Sequence, residues 1–421
     1  MLPDTTLYIV GVSTASGRIV YKEPVRNPFI DISFVATWQN EGPAPPAAAA
    51  AASAAPPITR AQLAGLAVDA WTTQLTFYNA SSGMFGDERV NDPFWTTANA
   101  LANAATLGVL TRDARVAGVL DNSFAVLVPH YATPKRGNDD IQWHAHAWLG
   151  AYKLTGSAKY LDEALSIYNE LFDPASPWHG WNATCGGMNW WSNVPYVNSI
   201  TNGLALTGLV TLQRATGSTA PIQGKTMLEW AQLIWAWAQR PGLQKDGVFL
   251  DGLGSDCKTP GGAPWTYNSG IWLDGLTGLS VALGDASFSD AAFALAQSSA
   301  AFFAAGDAGG VMREVSCGAG GDCGGADGRE FKGVYARHLA YALRDWDAPG
   351  SPATNAAAAA WARGWILNQT ASVLARDASS LPDGSPLFGR LWQGPFSPDD
   401  TPWISHSAAW DVVLAALEAL D

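Results

Sequence analysis

The stretch AYKLTGSAKYLDEAL, residues 151–165, contains the end of one apolar helix, a glycine at Gly156 and the start of a second helix. Two later stretches repeat this layout: TLQRATGSTAPIQGKTMLEWA at 211–231, with Gly217, and SVALGDASFSDAAFALA at 280–296, with Gly284. Glycine is the usual residue just past a helix C-terminus. Each hairpin is too small to bury its own apolar face, so it must pack against neighbouring hairpins.

Apolar periodicity with glycine and proline punctuation predicts twelve helices between residue 59 and the C-terminus. Six hairpins closed into a ring form an (α/α)6 toroid, an all-α fold with inner and outer helices. An open superhelix of tetratricopeptide type is the alternative. The glycines 61 and 67 residues apart are spaced too widely for it, and the intervening loops are long and Trp-rich.

Residues 1–57 differ from the rest of the chain. They hold the β-leaning stretches LYIVGV (7–12) and FIDISFVATW (29–38), followed by the Ala/Pro linker PAPPAAAAAASAAPP (43–57). We therefore place the main domain at 58–421 and regard 1–57 as a dispensable extension or an artefact of how the gene was read. The first residues lack a basic region and a long apolar run, so they do not fit a secretory signal.

Composition excludes several classes of partner. Net charge is −13 without a Lys/Arg-rich run, which argues against nucleic acid and anionic membrane surfaces. The chain contains no run of eighteen apolar residues, which is about the length that a membrane-spanning helix needs. The chain has neither a C-x-x-C nor a His-x-x-x-His pair, so we expect no metal. Only 14% of residues are charged, whereas Trp occurs 20 times, and flat aromatic faces suit the C–H faces of sugars as well as a core.

Asp139 and Asp140 open the fourth predicted helix, in KRGNDDIQWH (135–144). Acids in a first helical turn commonly cap the helix and favour its dipole. Two acids at the N-terminal end of a helix can also point into one pocket, and glycoside hydrolysis needs such a pair of acids. Repulsion between like charges raises one pKa, which gives the two acids different protonation states. The residues alone do not decide which acid has which role.

Polar and aromatic residues recur at the starts of alternate helices, where the loops of a toroid form one funnel. For each of these polar and aromatic residues, the alternative is a structural role: packing in the core, capping a helix or lying on a solvent-exposed face. The candidates for substrate binding are Trp143, Trp190, Trp191, Asn198, Asn202, Tyr267, Asn268, Lys332 and His406.

Four cysteines and three Asn-x-Ser/Thr sequons, at Asn79, Asn182 and Asn368, fit an oxidising, glycosylating route. Cys317 and Cys323 could close a small disulfide in SCGAGGDCGG. Cys185 and Cys257 could also pair, but sequence alone does not establish it.

Six motifs, in order from about residue 60 to the end, resemble glycoside hydrolase family 76, the α-1,6-mannanases and their fungal cell-wall transglycosidase relatives. They are the Asp139-Asp140 pair with Trp143, TGSAKYLDEAL, TCGGMNWW with Asn198 and Asn202, WTYNSG, FKGVYARHL and SHSAAWDVVLAAL. The resemblance implies an (α/α)6 fold and a retaining mechanism without a cofactor. It further implies Asp139 as the nucleophile and Asp140 as the general acid/base. His144 stands where the family commonly has a second aromatic residue, so one subsite wall is expected to differ. The cysteines resemble those of the fungal branch.

The expected function is therefore a monomeric, secreted or cell-wall enzyme that cuts α-1,6-mannosidic linkages inside mannan by double displacement. The export signal is expected to be absent from this chain. A transglycosidase acting on mannan-containing wall glycans uses the same residues with a sugar hydroxyl as acceptor. The alternative from another class is a non-catalytic carbohydrate-binding protein or helical scaffold.

Overall fold

The computed structural model describes residues 7–12, 19–25, 58–87, 92–131, 137–306, 309–315 and 325–421. The chain divides into two compact units, Met1–Pro57 and Ile58–Asp421. The first unit contains an antiparallel pair of strands, β1 (Leu7–Val12) and β2 (Ile19–Val25). The stretch 29–38 lies outside the described residues.

The second unit is built mainly from helices. Their bounds are α1 Arg60–Leu75, α2 Phe94–Thr111, α3 Arg115–Leu127, α4 Asn138–Thr155, α5 Ala158–Phe172, α6 Ser199–Thr216, α7 Met227–Ala238, α8 Thr266–Gly270, α9 Trp272–Leu283, α10 Ala286–Phe303, α11 Asp327–Asp347, α12 Ala356–Arg376 and α13 Pro402–Ala419. A short 3-10 helix, Val128–His130, extends α3. The helix that the sequence predicts over 267–283 is divided at Ile271 into α8 and α9.

Six of the helices in the described part of the chain form the inner ring of the (α/α)6 toroid. Going round the ring, α2, α4, α6, α9, α11 and α13 each contact the next, and α13 contacts α2, so the ring closes. The outer helices α1, α3, α5, α7, α10 and α12 pack against the inner helices that follow or precede them. The predicted closed ring of hairpins is therefore confirmed.

Burial patterns explain which helices lie inside. Every residue of α13 from Trp403 to Ala419 is buried, as expected for a helix surrounded by protein on all sides. The outer helix α5 instead buries one stripe that includes Tyr160, Ala164 and Tyr168. A buried ion pair, Arg337 Nη1 to Asp411 Oδ2 at 3.3 Å, joins α11 to α13 inside the ring.

The three glycines of the repeated layout end inner helices. Gly156, Gly217 and Gly284 follow α4, α6 and α9 in the left-handed region, with φ of 67°, 63° and 71°. Each backbone N–H donates to the carbonyl four residues back, at 2.7–2.9 Å. This conformation suits glycine because it has no Cβ.

Two long segments that the sequence indicates as loops contribute to a five-stranded antiparallel sheet with strand order β11-β10-β7-β6-β5. Its strands are β5 Trp181–Asn182, β6 Gly187–Trp191, β7 Val194–Asn198, β10 Gly252–Leu253 and β11 Pro260–Gly261. The remaining strands of this unit form two-stranded pairs: β3 Tyr78–Asn79 with β4 Met84–Phe85, β8 Gln244–Lys245 with β9 Val248–Phe249, and β12 Ala378–Ser380 with β13 Pro386–Phe388.

A disulfide between Cys185 and Cys257 joins the two segments that form this sheet. The sequence alone leaves this pairing open. Cys317 and Cys323 lie outside the described residues. No described helix is long and apolar enough to cross a membrane.

Candidate active site

The N-terminal ends of the inner helices α2, α4, α6 and α11, together with α8, surround a cavity of about 400 Å³, which we call the front cavity. It is lined by Asp92, Phe94, Trp95, Asp139, Asp140, Trp143, Trp190, Trp191, Tyr196, Asn198, Asp251, Trp265, Tyr267, Asp327 and Phe331. Four of the five helix starts expected to share a funnel contribute to this cavity, and the start of α13 does not.

The two adjacent acids lie at the start of α4. Asp140 Oδ2 accepts a hydrogen bond from the backbone N–H of Gly137 at 3.1 Å, so this residue also caps the helix. Asp139 Oδ2 accepts a hydrogen bond from the Trp190 indole N–H at 3.2 Å. Its Oδ1 is buried and has no hydrogen bond partner among the described residues. The sequence left open whether the pair caps the helix or lines a pocket. In the structure Asp140 caps the helix, and both acids line the front cavity.

Gly137 leaves the space that this arrangement needs. A Cβ at this position would overlap Asp139 Oδ1 and lie 2.9 Å from Trp190 Nε1. The next residue, Asn138, fixes the helix start to the sheet: its Nδ2 donates to the Asn189 carbonyl at 3.0 Å, and its Oδ1 accepts from Ser192 Oγ at 3.2 Å. The helix start and strand β6 are therefore positioned together.

Burial raises the pKa of Asp139 well above its usual value, and repulsion from Asp140 raises it further. The backbone N–H groups of Asp139 and Asp140, and then the hydrogen bond from Trp190, act in the opposite direction because they stabilise the carboxylate. Asp139 is only 9% exposed. Asp139 therefore keeps its proton to higher pH than an exposed aspartate does.

Trp190 and Trp191 are consecutive residues of β6, yet both line the cavity. Successive strand residues ordinarily point to opposite faces. Here the pairing register of β6 with β7 shifts between Asn189 and Trp191, and such an irregularity re-aims a side chain. Trp190 is 40% exposed, which leaves much of its ring free to contact a ligand.

A second aromatic group comes from the helix starts. The Tyr267 ring stacks on Phe331 at a centroid distance of 3.8 Å, and Trp95 lies 6.0 Å from Phe331 and 5.8 Å from Trp143. Trp265 contacts Phe331 edge-on at 5.5 Å. The front cavity therefore has two aromatic groups, one on the sheet and one on the helices.

Asp251 provides a further carboxylate in the front cavity, and sequence reasoning missed it. Its Oδ2 accepts from the Tyr196 hydroxyl at 2.6 Å and its Oδ1 from Asn268 Nδ2 at 3.1 Å. Burial raises the pKa of Asp251. Predicted residue Asn268 thus supports a lining residue and does not itself line the cavity.

Seven predicted site residues line the front cavity: Asp139, Asp140, Trp143, Trp190, Trp191, Asn198 and Tyr267. Asn198 is also the N-cap of α6, because its Oδ1 accepts from the Thr201 N–H at 3.4 Å. Cap and lining roles therefore coincide here too.

Three other predicted residues lie away from this cavity. Asn202 is buried and bonds the backbone of Met188 through both ends of its amide, at 2.8 and 3.0 Å. Lys332 is buried with its Nζ 5.6 Å from the centre of the Trp392 ring. His406 accepts from the Phe388 N–H and contacts the Ala70 carbonyl, and burial lowers its pKa to about 4.

His144, which departs from the family pattern, is buried beside Phe94 and contacts the Phe94 carbonyl at 3.1 Å. It does not line the front cavity, so the expected difference in a subsite wall is not found at this residue.

Several lining residues had a signal that sequence reasoning did not use. Asp92, Phe94 and Trp95 stand at the start of α2, and Asp327 at the start of α11, both of them inner helices. The rule of alternate helix starts covers these positions. Tyr196 and Asp251 lie in or beside short strands, where no periodic pattern marks them.

Among the described residues, no group of three or more His, Cys, Asp or Glu side chains could hold a metal ion. The absence of a metal or cofactor in the reaction stays a prediction.

An adjacent carboxyl pair in an aromatic-walled cavity at one end of an (α/α)6 toroid supplies the groups that glycoside hydrolysis needs. The sequence pattern of Glycosyl hydrolase family 76 matches residues 63–401, and the chain belongs to this family.

Solved structures share the fold. The α-1,6-mannanase GH76A of Salegentibacter sp. HEL1_6 matches with a TM-score of 0.68 and 21% identity, over 85% of this chain and 99% of that chain. A variant of that enzyme in complex with α-1,6-mannotriose, inactive after replacement of two neighbouring aspartates by asparagine, matches with a TM-score of 0.67 and 20% identity, over the same shares. Dfg5 of Chaetomium thermophilum, in complex with glucosamine, matches with a TM-score of 0.71 and 20% identity, over 86% of this chain and 90% of that chain. No curated protein sequence matches the chain.

Proposed function

We propose that this protein is a retaining, endo-acting α-1,6-mannanase that uses Asp139 and Asp140. The observation that carries the proposal is the placement of both acids in one aromatic-walled cavity. Family membership and the mannotriose complex of a similar structure support the substrate class. Trp190 and Trp191 would stack on the apolar faces of mannosyl units, and the carboxylates would accept hydrogen bonds from sugar hydroxyls.

In the first step, an Asp139 oxygen bonds to the anomeric carbon while the bond from that carbon to the leaving sugar oxygen breaks. Asp140 gives its proton to the leaving oxygen. In the second step, Asp140 takes a proton from water, the water oxygen attacks the anomeric carbon, and Asp139 is released as a carboxylate. Two displacements at one carbon retain the anomeric configuration.

This division of work requires Asp139 to be ionised when the substrate is bound. Burial favours the uncharged form of Asp139, whereas attack on the anomeric carbon needs the charged form. The proton must therefore reside on Asp140 in the reactive complex. The Trp190 N–H bond to Asp139 favours this distribution because it stabilises negative charge on Asp139.

Transglycosylation is the second candidate, favoured by the existence of two separate aromatic groups in the cavity. One group would hold the donor sugar and the other an acceptor sugar, whose hydroxyl then replaces water in the second step. The fold does not discriminate between the two activities, since the TM-scores with Dfg5 and with the mannanase are 0.71 and 0.68.

The test is mass spectrometry of the products from linear α-1,6-mannan, with and without an added mannoside acceptor. A mannanase gives a series of short mannooligosaccharides in both reactions. A transglycosidase gives longer, acceptor-bearing products. Unchanged mannan after prolonged incubation would reject both candidates and favour a carbohydrate-binding protein.

Matched variants connect the products to the site. Asp139→Asn and Asp140→Asn are expected to reduce turnover by several orders of magnitude with the fold intact. Asp290→Asn, an exposed acid of α10, serves as the control and should leave turnover unchanged.

We further propose that the enzyme works outside the cell or in the cell wall. The disulfide Cys185–Cys257 supports this location, because such bonds persist in oxidising compartments. Immunodetection of the native protein in the culture medium and cell-wall fractions tests it, and confinement to the cytosol would reject it.

A further inference from the structure

The sequon Asn79-Ala80-Ser81 lies in the turn of the β3–β4 hairpin, and the reaction proposed above does not use it. All three of its residues are exposed. Asn79 Oδ1 accepts a hydrogen bond from the Ser81 backbone N–H at 3.0 Å, which folds the sequon into a tight turn. Asn79 Nδ2, the nitrogen to which a glycan is attached, makes no hydrogen bond among the described residues.

Neighbouring residues hold this turn in place. Asn122 Nδ2, on α3, donates to the Ala80 carbonyl at 2.9 Å and to the Tyr78 hydroxyl at 2.7 Å. The Asn79 carbonyl accepts from the Gly83 N–H at 2.8 Å and closes the hairpin. The sequon is therefore presented to solvent in a defined conformation.

The other two sequons use the side-chain amide nitrogen within the fold. Asn182 Nδ2 donates to Asn189 Oδ1 at 3.0 Å, between strands β5 and β6. Asn368 Nδ2 donates to the Gly309 carbonyl at 3.0 Å, and Thr370 of the same sequon is buried in α12 with its hydroxyl bonded to backbone carbonyls. A glycan is bulky and replaces one N–H group of the amide, so at either position it would compete with these contacts.

We propose that Asn79 is the N-glycosylation site of this protein. A bulky, solubilising glycan suits an exposed loop of a secreted protein. The inference rests on the proposed export of the chain, because the glycan donor, an oligosaccharide carried on a lipid pyrophosphate, reaches only exported proteins.

The modification forms one bond and breaks another. Asn79 Nδ2 attacks the anomeric carbon of the donor oligosaccharide, and the bond from that carbon to the phosphate oxygen breaks. The lipid pyrophosphate leaves, and one Nδ2 proton passes to a base of the host transferase. The product is an N-linked glycan whose remaining amide N–H stays on Nδ2.

Occupancy is measured on the full chain, expressed in a yeast host behind an added leader sequence and purified from the medium and from microsomes. Peptide-N-glycosidase in heavy-oxygen water converts a glycosylated Asn into a labelled Asp, which peptide mass spectrometry locates. We expect the label at Asn79 and little or none at Asn182 and Asn368. The leader makes the result independent of the native export route, and mannan turnover of the same sample tests the proposed reaction separately.

Two variants remove the sequon in different ways. Asn79→Gln removes the acceptor nitrogen, whereas Ser81→Ala keeps it and removes the hydroxyl. Each should lose one glycan, seen as faster migration in gel electrophoresis, while the matched control Asn368→Gln migrates as the wild type does. Neither Asn79 nor Ser81 lines the front cavity, so both variants should keep wild-type mannan turnover. Unlabelled Asn79 in the wild type, or occupancy at Asn182 or Asn368 as high as at Asn79, would overturn the proposal.

Discussion

Trp190 contributes to the site in two separable ways. Its indole N–H donates to Asp139, and its exposed ring face is available to a sugar. Trp190→Phe removes the hydrogen bond and keeps an aromatic ring. Since the bond stabilises the charged form of Asp139, its loss should raise the pKa of Asp139 further, reduce kcat by about tenfold, and leave KM nearly unchanged.

The measurement is a pH–rate profile on linear α-1,6-mannan. In Trp190→Phe the acid limb of the profile should move to higher pH. Trp190→Ala, which also loses the ring, should in addition raise KM. An acid limb at the wild-type position in Trp190→Phe would show that the hydrogen bond does not tune the nucleophile.

Asp251 is held on both carboxylate oxygens, by Tyr196 and Asn268, and lines the front cavity. A carboxylate fixed in this way can accept hydrogen bonds from sugar hydroxyls, and an amide in its place loses the charge. We expect Asp251→Asn to lower kcat/KM on mannan by about tenfold to a hundredfold, with an unchanged circular dichroism spectrum. Wild-type kcat/KM in this variant would exclude Asp251 from substrate binding.

At the scale of elements, the sequence predicts the site residues that lie on helices better than those that lie on the five-stranded sheet. Helix periodicity and the capping glycines predict the inner helices, so the side chains at their starts could be found. The strands of the sheet are only two to five residues long and lie in Trp- and Gly-rich segments, where no periodic pattern could reveal Tyr196 or Asp251.

Helical phase explains Lys332. Phe331 lines the front cavity, but the next residue of a helix is rotated by about 100°, so Lys332 is buried next to Trp392. The sequence can predict where a helix begins. Which of its side chains face the front cavity depends on how the helix packs.

The disulfide Cys185–Cys257 fastens this sheet across 72 residues of chain. By the loop-entropy relation, its removal should lower the free energy of unfolding by about 4 kcal/mol. Because the sheet carries Trp190 and Trp191, we expect the Cys185→Ala/Cys257→Ala variant to lose activity below its melting transition. Denaturant unfolding and mannan turnover measure the two effects. An unchanged free energy of unfolding would contradict a structural role for the bond.

At the scale of the whole molecule, the toroid buries many ionisable groups. Burial raises the pKa of Glu314 and of Asp377 to about 7 and that of Asp411 to about 6. An acid with a raised folded-state pKa stabilises the fold below its unfolded value, and this stability is lost as pH rises through the folded value. Burial lowers the pKa of His146 and His406 to about 4, so their contribution is complete above their ordinary value of 6.5 and is lost as pH falls.

These opposite effects predict a stability maximum on the acid side of neutrality. Between pH about 6.5 and 8 the histidines contribute no further change, while Glu314 and Asp377 are forced to ionise, so the free energy of unfolding should fall. Urea unfolding at a series of pH values measures the slope. Glu314→Gln should make the slope shallower over this interval, and a slope equal to that of the wild type would contradict the assignment to Glu314.

The central claim is that Asp139 is the nucleophile and Asp140 the acid/base of a retaining reaction, and azide rescue tests it most directly. Asp139→Ala and Asp140→Ala are supplied with sodium azide and a mannosyl donor that has an activated leaving group, and the glycosyl azide is identified by NMR. Azide should give the inverted β-mannosyl azide with Asp139→Ala and the retained α-mannosyl azide with Asp140→Ala. The opposite assignment, or no azide product from either variant, would contradict the proposed mechanism.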